Sequence, residues 1–337
     1  MPVFYIVFLL QYKLKNLKGV DGMNIVVAMY VRDTDKKVLE AAAPGAVFHY
    51  GTEPEELQKA DVIIGNVAPG LLQNVPKLKW LQLNSAGADA YCKPGILGDG
   101  VLLTNSTGAY GQAVSEHMLA MLLSLVKKLN RYEQNQARRL WQDEGEVRSL
   151  RELTIAIMGF GDIGRDFGKL CKLLGAHVIG VRRHKGSVPP EADEMDTMDN
   201  LQSVLSRADV VASVLPGTPA TTGLYNADFF AAMKEGSYFI NCGRGTAVNQ
   251  KDLRTALESG RLAGAALDVA TPEPLPADDP LWEAPHLILT PHISGDYHLS
   301  ATWDRVVAIA AENLKHFQAG EPLRNPVDRK TGYKKSE

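Results

Sequence analysis

A chain of 337 residues, 45% hydrophobic and 22% charged, has the apolar content of a folded globular protein of about two domains and too much for an intrinsically disordered one. Its formal net charge of −3 argues against a dedicated nucleic-acid binder, which carries a basic face. Three cysteines, Cys92, Cys171 and Cys242, are too few and too scattered for a disulfide framework or a zinc site, so the expected setting is a reducing, cytoplasmic one.

In chain order, the first apolar stretch is Val3–Leu10. No basic residue precedes it and no small-residue cleavage site follows, so it does not read as a secretory signal. Nor does any segment reach the roughly 20 apolar residues of a membrane helix, and no membrane partner is expected. Residues 1–22 read as a leader or extension outside the fold, which begins with Met23-Asn24-Ile25-Val26-Val27-Ala28. From there, β-rich runs alternate with helical patterns: strands at Ile25–Ala28, Val47–Tyr50, Val62–Gly65, Trp80–Asn84 and Val101–Asn105, with segments such as Glu53–Ala60 between them. Such alternation indicates a parallel sheet flanked by helices. Val114, Met118, Met121, Leu122, Leu125 and Leu129 recur at helical spacing and predict one long helix over Gln112–Leu140. A second series follows, with six strands at Leu153–Met158, His177–Val181, Val210–Leu215, Tyr238–Asn241, Ala263–Val269 and Leu287–Thr290. Helices are predicted at Asp162–Leu174, at Gln250–Ser259 (stopped by Gly260) and at Leu299–Ala319, the last long enough to return to the first domain. The Pro-rich stretch Thr271–Pro280 reads as a loop.

Gly159-Phe160-Gly161-Asp162-Ile163-Gly164 is a G-x-G-x-x-G motif. Alone it is a weak signal, but here it follows an apolar strand, opens an amphipathic helix and precedes a second strand. In that setting Gly159 permits the tight turn, Gly161 lets the backbone approach a pyrophosphate, and Gly164 lets helix and strand pack closely. The pyrophosphate would meet free N–H groups at the positive end of the helix. About 20 residues on, a chain selective for NAD carries Asp or Glu for the ribose 2′-hydroxyl. Here the residues are Arg182 and Arg183, followed by His184 and Lys185. Guanidinium groups grip a phosphate in two-pronged fashion, so NADP(H) is the expected cofactor, with NAD(H) the lesser alternative. The architecture that follows is α/β, with two doubly wound parallel-sheet domains. A flavodoxin-like substrate domain spans 23–105 and 299–337, and a Rossmann dinucleotide-binding domain, 106–298, is inserted into it.

Ligands of open parallel sheets bind beyond the carboxyl ends of the strands. Three strands of the second series run into Cys242-Gly243-Arg244-Gly245, Ala270-Thr271-Pro272-Glu273-Pro274 and Pro291-His292-Ile293-Ser294-Gly295. An Arg, a Glu and a His thus leave three strand ends that face one crevice. Together with Leu215-Pro216-Gly217-Thr218-Pro219, Leu267-Asp268-Val269 and Thr290-Pro291-His292, in this order and spacing, the sequence from about Asn24 to Val327 resembles the D-2-hydroxyacid dehydrogenase family. The resemblance implies a catalytic trio of Arg244, Glu273 and His292. It implies cofactor contacts from the whole glycine motif (Phe160, Asp162 and Ile163 included), from Arg182, Arg183, Leu215, Pro216, Thr221, Cys242, Gly243 and His292, and from Asp268 at the nicotinamide carboxamide. Arg182 stands where many members carry Asp, which bears on cofactor choice and leaves the chemistry intact.

Reduction of a 2-oxo acid leaves negative charge on the former carbonyl oxygen. His292 can supply the proton and take it back in reverse. Glu273, bonded to the other ring nitrogen, would fix its tautomer, and Arg244 can bind the substrate carboxylate and polarise the carbonyl. Asn84-Ser85-Ala86-Gly87-Ala88-Asp89 looks like the family's glycine loop, with Ser85, Ala86 and Gly87 on the carboxylate, and Asn105-Ser106-Thr107-Gly108 resembles its hinge. His117 reads as a helix-packing or interdomain residue rather than a catalytic one. His292 and His298 lack a third partner at metal-ligand spacing, so no metal is expected. Tyr110, Trp141, Trp282 and Tyr297 are unranked candidates for the substrate pocket. Domain closure over the cleft is expected. A homodimer is also expected from the resemblance, with the Gln112–Leu140 region as its contact. The leading function is NADP(H)-dependent reduction of a small 2-oxo acid such as glyoxylate or hydroxypyruvate. The alternatives are a phosphoglycerate dehydrogenase-like enzyme, for whose long forms the chain is expected to be too short, and a nucleotide-sensing protein like the corepressors that share this fold.

Overall fold

The computed structural model describes residues 22–184 and 186–330. The leader expected over 1–22 therefore lies, but for Gly22, outside the described residues, as does Lys185 of the basic run. The described residues form two compact units: one holds those up to Ala109 together with those from Ser300 on, the other those from Tyr110 to Leu299. The boundaries expected at 105/106 and 298/299 fall slightly earlier. Among the described residues no helix is long and apolar enough to cross a membrane.

Among the described residues the first unit is built on five strands, β1 (Asn24–Val27), β2 (Val47–Tyr50), β3 (Val62–Ile64), β4 (Trp80–Gln82) and β5 (Leu102–Thr104). They pair in the order β2-β1-β3-β4-β5, and every pairing is parallel. Val62, Ile63 and Ile64 are wholly buried, as a strand covered on both faces requires. Helix α1 (Asp33–Ala42) is started by Asp35, whose carboxylate accepts the Arg32 N–H at 2.9 Å and Arg32 Nε at 2.8 Å. The one-turn helices α2 (Pro54–Leu57) and α3 (Pro69–Leu72) each begin with proline, whose missing N–H costs nothing there. The last helix, α10 (Ser300–Ala319), packs on α1 and buries Trp303, Val307, Ala310, Leu314 and Phe317 with strand residues such as Ile25 and Trp80. Polar groups inside this core are paired: Gln82 Oε1 accepts from Thr104 Oγ1 at 2.7 Å and from Asn313 Nδ2 at 2.7 Å, which ties α10 to β4.

The second unit carries seven strands, β6 (Thr154–Met158), β7 (His177–Arg182), β8 (Glu194–Thr197), β9 (Val210–Ser213), β10 (Ser237–Asn241), β11 (Leu262–Leu267) and β12 (Leu287–Leu289). Their order is β12-β11-β10-β9-β6-β7-β8, again all parallel. Six strands were expected; the addition is the short edge strand β8, whose sequence Glu-Met-Asp-Thr has only one strongly apolar residue. Helices α4 (Gly111–Val126), α5 (Leu129–Ala137), α6 (Asp162–Leu173), α7 (Leu201–Arg207), α8 (Ala227–Ala232) and α9 (Gln250–Glu258) cover the faces. The single helix predicted over Gln112–Leu140 is two, because Lys128 turns left-handed at φ 57 and starts α5 in a new direction. Tyr225, Phe229, Phe230 and Phe239 stack edge-on at the centre of the larger core cluster. The strand order reverses between β6 and β9, and the crevice this opens lies at their carboxyl ends.

Candidate active site

The glycine motif forms the turn from β6 into α6. Gly159 has φ 93, and a Cβ there would sit 3.2 Å from the Val214 carbonyl at the end of β9. A Cβ on Gly164 would collide with the Gly159 carbonyl. Gly161 differs: nothing lies within 4 Å of where its Cβ would be. Two glycines thus serve the turn, and the third leaves a cradle in front of the helix N-terminus, where backbone N–H groups favour an anion. The residues therefore fit a dinucleotide pyrophosphate. Phe160, expected among the contacts, offers only its backbone, because its ring is wholly buried against Gly168 and Gly180. Arg182, at the end of β7, donates from Nε to the Phe160 carbonyl at 2.7 Å, and its guanidinium lies 5.9 Å from the Phe160 ring centre. Arg183 and His184 are exposed beside it.

Arg244, Glu273 and His292 follow three adjacent strands, β10, β11 and β12. The tip of β10 is shaped by Asn241, which is fully buried, accepts from the Gly243 N–H at 3.0 Å and donates to the Arg244 carbonyl at 3.0 Å. Gly243 abuts the backbone of Leu215, and Gly245 abuts that of Ala270. Arg244 is half-buried between them, one guanidinium nitrogen donating to the Gly243 carbonyl at 2.8 Å. The Ala270 N–H in turn donates to Glu273 Oε1 at 3.1 Å, and Glu273 Oε2 lies 2.8 Å from His292 Nδ1. Glu273 sits in the expected proline-rich loop. His292 has φ 54, a left-handed conformation unusual for a residue with a Cβ. Both side chains of the pair stay partly open, at 46% and 40% exposure, so the imidazole is reachable by a ligand. Among the described residues no three His, Cys, Asp or Glu side chains cluster as metal ligands.

The model of a known domain, "D-isomer specific 2-hydroxyacid dehydrogenase, NAD binding domain", matches residues 119–294 of this chain. The chain belongs to the D-isomer specific 2-hydroxyacid dehydrogenase family. Glyoxylate/hydroxypyruvate reductase A of Photorhabdus laumondii is 30% identical over 272 residues, 78% of this chain and 84% of that one. A family protein from Aeromonas salmonicida has a crystal structure that matches with a TM-score of 0.81 at 34% identity, covering 91% of this chain and 99% of its own. An NADPH-dependent glyoxylate/hydroxypyruvate reductase from Sinorhizobium meliloti, solved with NADP and sulfate, matches with a TM-score of 0.79 at 28% identity, covering 92% of this chain and all, 100%, of that one. This D-isomer specific 2-hydroxyacid dehydrogenase is therefore an oxidoreductase with a nicotinamide-dinucleotide domain.

Other residues that the sequence assigned to this dehydrogenase's site are placed as follows. Asp268 is buried at the end of β11 and accepts from Thr290 Oγ1 at 2.6 Å and from the N–H groups of Ile293 and Ser294, each at 3.0 Å. Cys242 lies beside it; burial pushes its thiol well above the ordinary range, and the Asp268 charge adds to the rise. Leu215 and Pro216 follow β9, while the Thr221 hydroxyl is turned into its own loop and donates to the Pro216 carbonyl at 2.7 Å. In the first unit, Ser85, Ala86 and Gly87 form a turn closed by Ser85 Oγ on the Gly87 carbonyl at 2.7 Å and by Asn105 Nδ2 on the Ala86 carbonyl at 2.7 Å. Of the four aromatic candidates, Tyr110 is buried with Tyr297 as a hydrogen-bond partner, Trp282 is bonded to the Pro276 carbonyl, and Trp141 is fully exposed. Sequence reasoning did not assign roles to Asn241, Ser294 or Thr290. Ser294 and Thr290 stand inside the motifs and Asn241 ends a predicted strand, but only the folded turns show which atoms they hold.

Proposed function

We propose that the chain reduces small 2-oxo acids of the glyoxylate/hydroxypyruvate class to D-2-hydroxy acids, with NADP(H) preferred. The observation that carries this reading is the 2.8 Å contact between Glu273 and the His292 ring at the strand end two places from Arg244. When bound, a nicotinamide dinucleotide supplies or accepts the hydride. The rest is done by side chains. Arg244 binds the carboxylate of the substrate and polarises its carbonyl. Glu273 holds His292 Nδ1 as the donor to its carboxylate, so Nε2 is the atom that gives a proton to the developing alkoxide and recovers it in reverse. Gly161 and the α6 N–H groups would hold the pyrophosphate, and Arg182 with Arg183 would hold a 2′-phosphate. The names of the relatives support the substrate class, and the NADP bound to the Sinorhizobium protein supports the cofactor.

The test is steady-state oxidation of NADPH and NADH with a panel of 2-oxo acids. Turnover of glyoxylate or hydroxypyruvate with higher kcat/KM for NADPH is expected, and His292→Asn should lower kcat by about 10²–10⁴. Tight NADPH binding with no turnover of any 2-oxo acid would instead favour the nucleotide-sensing alternative. The same proposal includes a homodimer through the Gln112–Leu140 region, where Leu129 and Leu140 remain exposed. Light scattering at working concentration should give twice the chain mass.

A further inference from the structure

Thr290 has a single hydroxyl proton and two neighbours for it. Its Oγ1 lies 2.6 Å from Asp268 Oδ1 and 3.0 Å from His117 Nε2. Asp268 already accepts the Ile293 N–H on the same oxygen and the Ser294 N–H on the other. A carboxylate receiving such donors is an acceptor, so the Thr290 proton goes to Asp268. The Thr290 oxygen is left to accept, and His117 Nε2 must carry the hydrogen that reaches it. The result is a directed chain from α4 through the end of β12 to the end of β11. Its far end also holds His292: the Asp268 carbonyl accepts the His292 N–H at 2.7 Å. One residue thereby grips three successive N–H groups, those of His292, Ile293 and Ser294, around a backbone held at φ 54.

We infer that His117 is a positioning residue for the reduction, acting through Thr290 and Asp268 to keep the 290–294 turn in the form that presents His292 to Glu273. This rests on the reading of His292 as the acid/base. His117 Nε2 faces the Thr290 oxygen, with Asp268 Oδ1 behind it at 3.8 Å. Its contribution is the Nε2 hydrogen, which occupies the Thr290 oxygen and so aims the hydroxyl proton at Asp268 Oδ1, beside the Ile293 and Ser294 N–H groups. A helix-packing role would ask only for a ring-sized apolar side chain in the same place.

The two roles are separated by His117→Leu against His117→Gln, since glutamine can reach Thr290 with an amide N–H. In His117→Leu we expect kcat to fall about ten-fold, the scale of a small misalignment of reacting groups, with KM for NADPH and for the 2-oxo acid changed less than about two-fold. His117→Gln should recover most of the loss. Hydrogen exchange of the full-length protein, with and without NADPH, should show the Ile293 and Ser294 amides opening about ten-fold faster in His117→Leu. Thr290→Val should reproduce both effects and Thr290→Ser neither, and the double variant should be no worse than either single one because both cut the same chain. Unchanged kcat and exchange in His117→Leu, or equal damage from glutamine and leucine, would overturn the inference. If His117→Leu does not fold, the Thr290 pair decides by the same two readouts. Full turnover in His292→Asn would instead remove the acid/base reading, and the exchange rates would still report on the chain.

Discussion

Arg182 is fastened to the glycine turn by its Nε hydrogen bond to the Phe160 carbonyl. The bond commits one edge of the guanidinium and holds the plane close to the motif that would receive the pyrophosphate. Arg183 follows on the exposed side. If these two groups select the 2′-phosphate, Arg182→Asp should lower kcat/KM for NADPH by about ten- to a hundred-fold, the scale of losing a charged hydrogen bond, and leave NADH equal or better. Arg183→Ala should cost less. An unchanged NADPH/NADH ratio in both variants would show that selection lies elsewhere.

The glycines of the motif should separate stability from binding. Gly161→Ala meets no neighbour, although φ −93 with ψ −141 lies outside the regions that a residue with a Cβ favours. Backbone strain should cost about 1 kcal/mol, while NADPH affinity, read by fluorescence titration, falls about ten-fold or more as the methyl group fills the cradle. Gly164→Ala forces a methyl group into the Gly159 carbonyl and should lower stability by about 1–3 kcal/mol as well as binding.

Glu273 accepts the Ala270 N–H on one oxygen and faces His292 with the other. Glu273→Gln keeps the shape and loses the charge. We expect kcat to drop about 10–10²-fold with NADPH affinity unchanged, and Glu273→Ala to be worse because the ring is then unheld. Single-turnover hydride transfer checks this; equal turnover in both variants would remove the orienting role.

Asp209 is a stability device remote from the chemistry. Its buried carboxylate receives Lys234 Nζ at 2.6 Å, the Thr154 N–H at 2.9 Å and Arg148 Nη1 at 3.1 Å, which anchors the starts of β6 and β9. Burial pushes its carboxyl up, but these donors and the Arg148 charge hold it below the ordinary carboxylate range. A folded value below the unfolded one means the stabilisation is fully present above about pH 4 and is lost as pH falls through the lower folded value. Asp209→Asn should cost about 1–3 kcal/mol at neutral pH, since Lys234 and Arg148 can rehydrate, and should flatten the loss of stability in acid. Urea unfolding at neutral pH and near pH 3 measures both.

Both sheets and the strand-end trio were legible because their signals are local. Val62-Ile63-Ile64 reads as a strand wherever it stands, and Gly159–Gly164 carries its own context. What escaped depends on partners far along the chain. Strand β8 is acidic and short, and only pairing with β7 makes it a strand. The break at Lys128 has neither Gly nor Pro to announce it, so the apolar period of α4 ran on into α5. Arg182 could be recognised as a cation, yet nothing in its neighbours tells that it bonds to Phe160. His117 read as packing because Thr290 and Asp268 lie more than a hundred positions away.

The two glycines that flank Arg244 press on peptide groups rather than on side chains. A crowded side chain can be trimmed by a second mutation; a crowded main chain cannot. A methyl group added at Gly243 or Gly245 thus meets the main chain of Leu215 or Ala270, which no side-chain substitution can trim away.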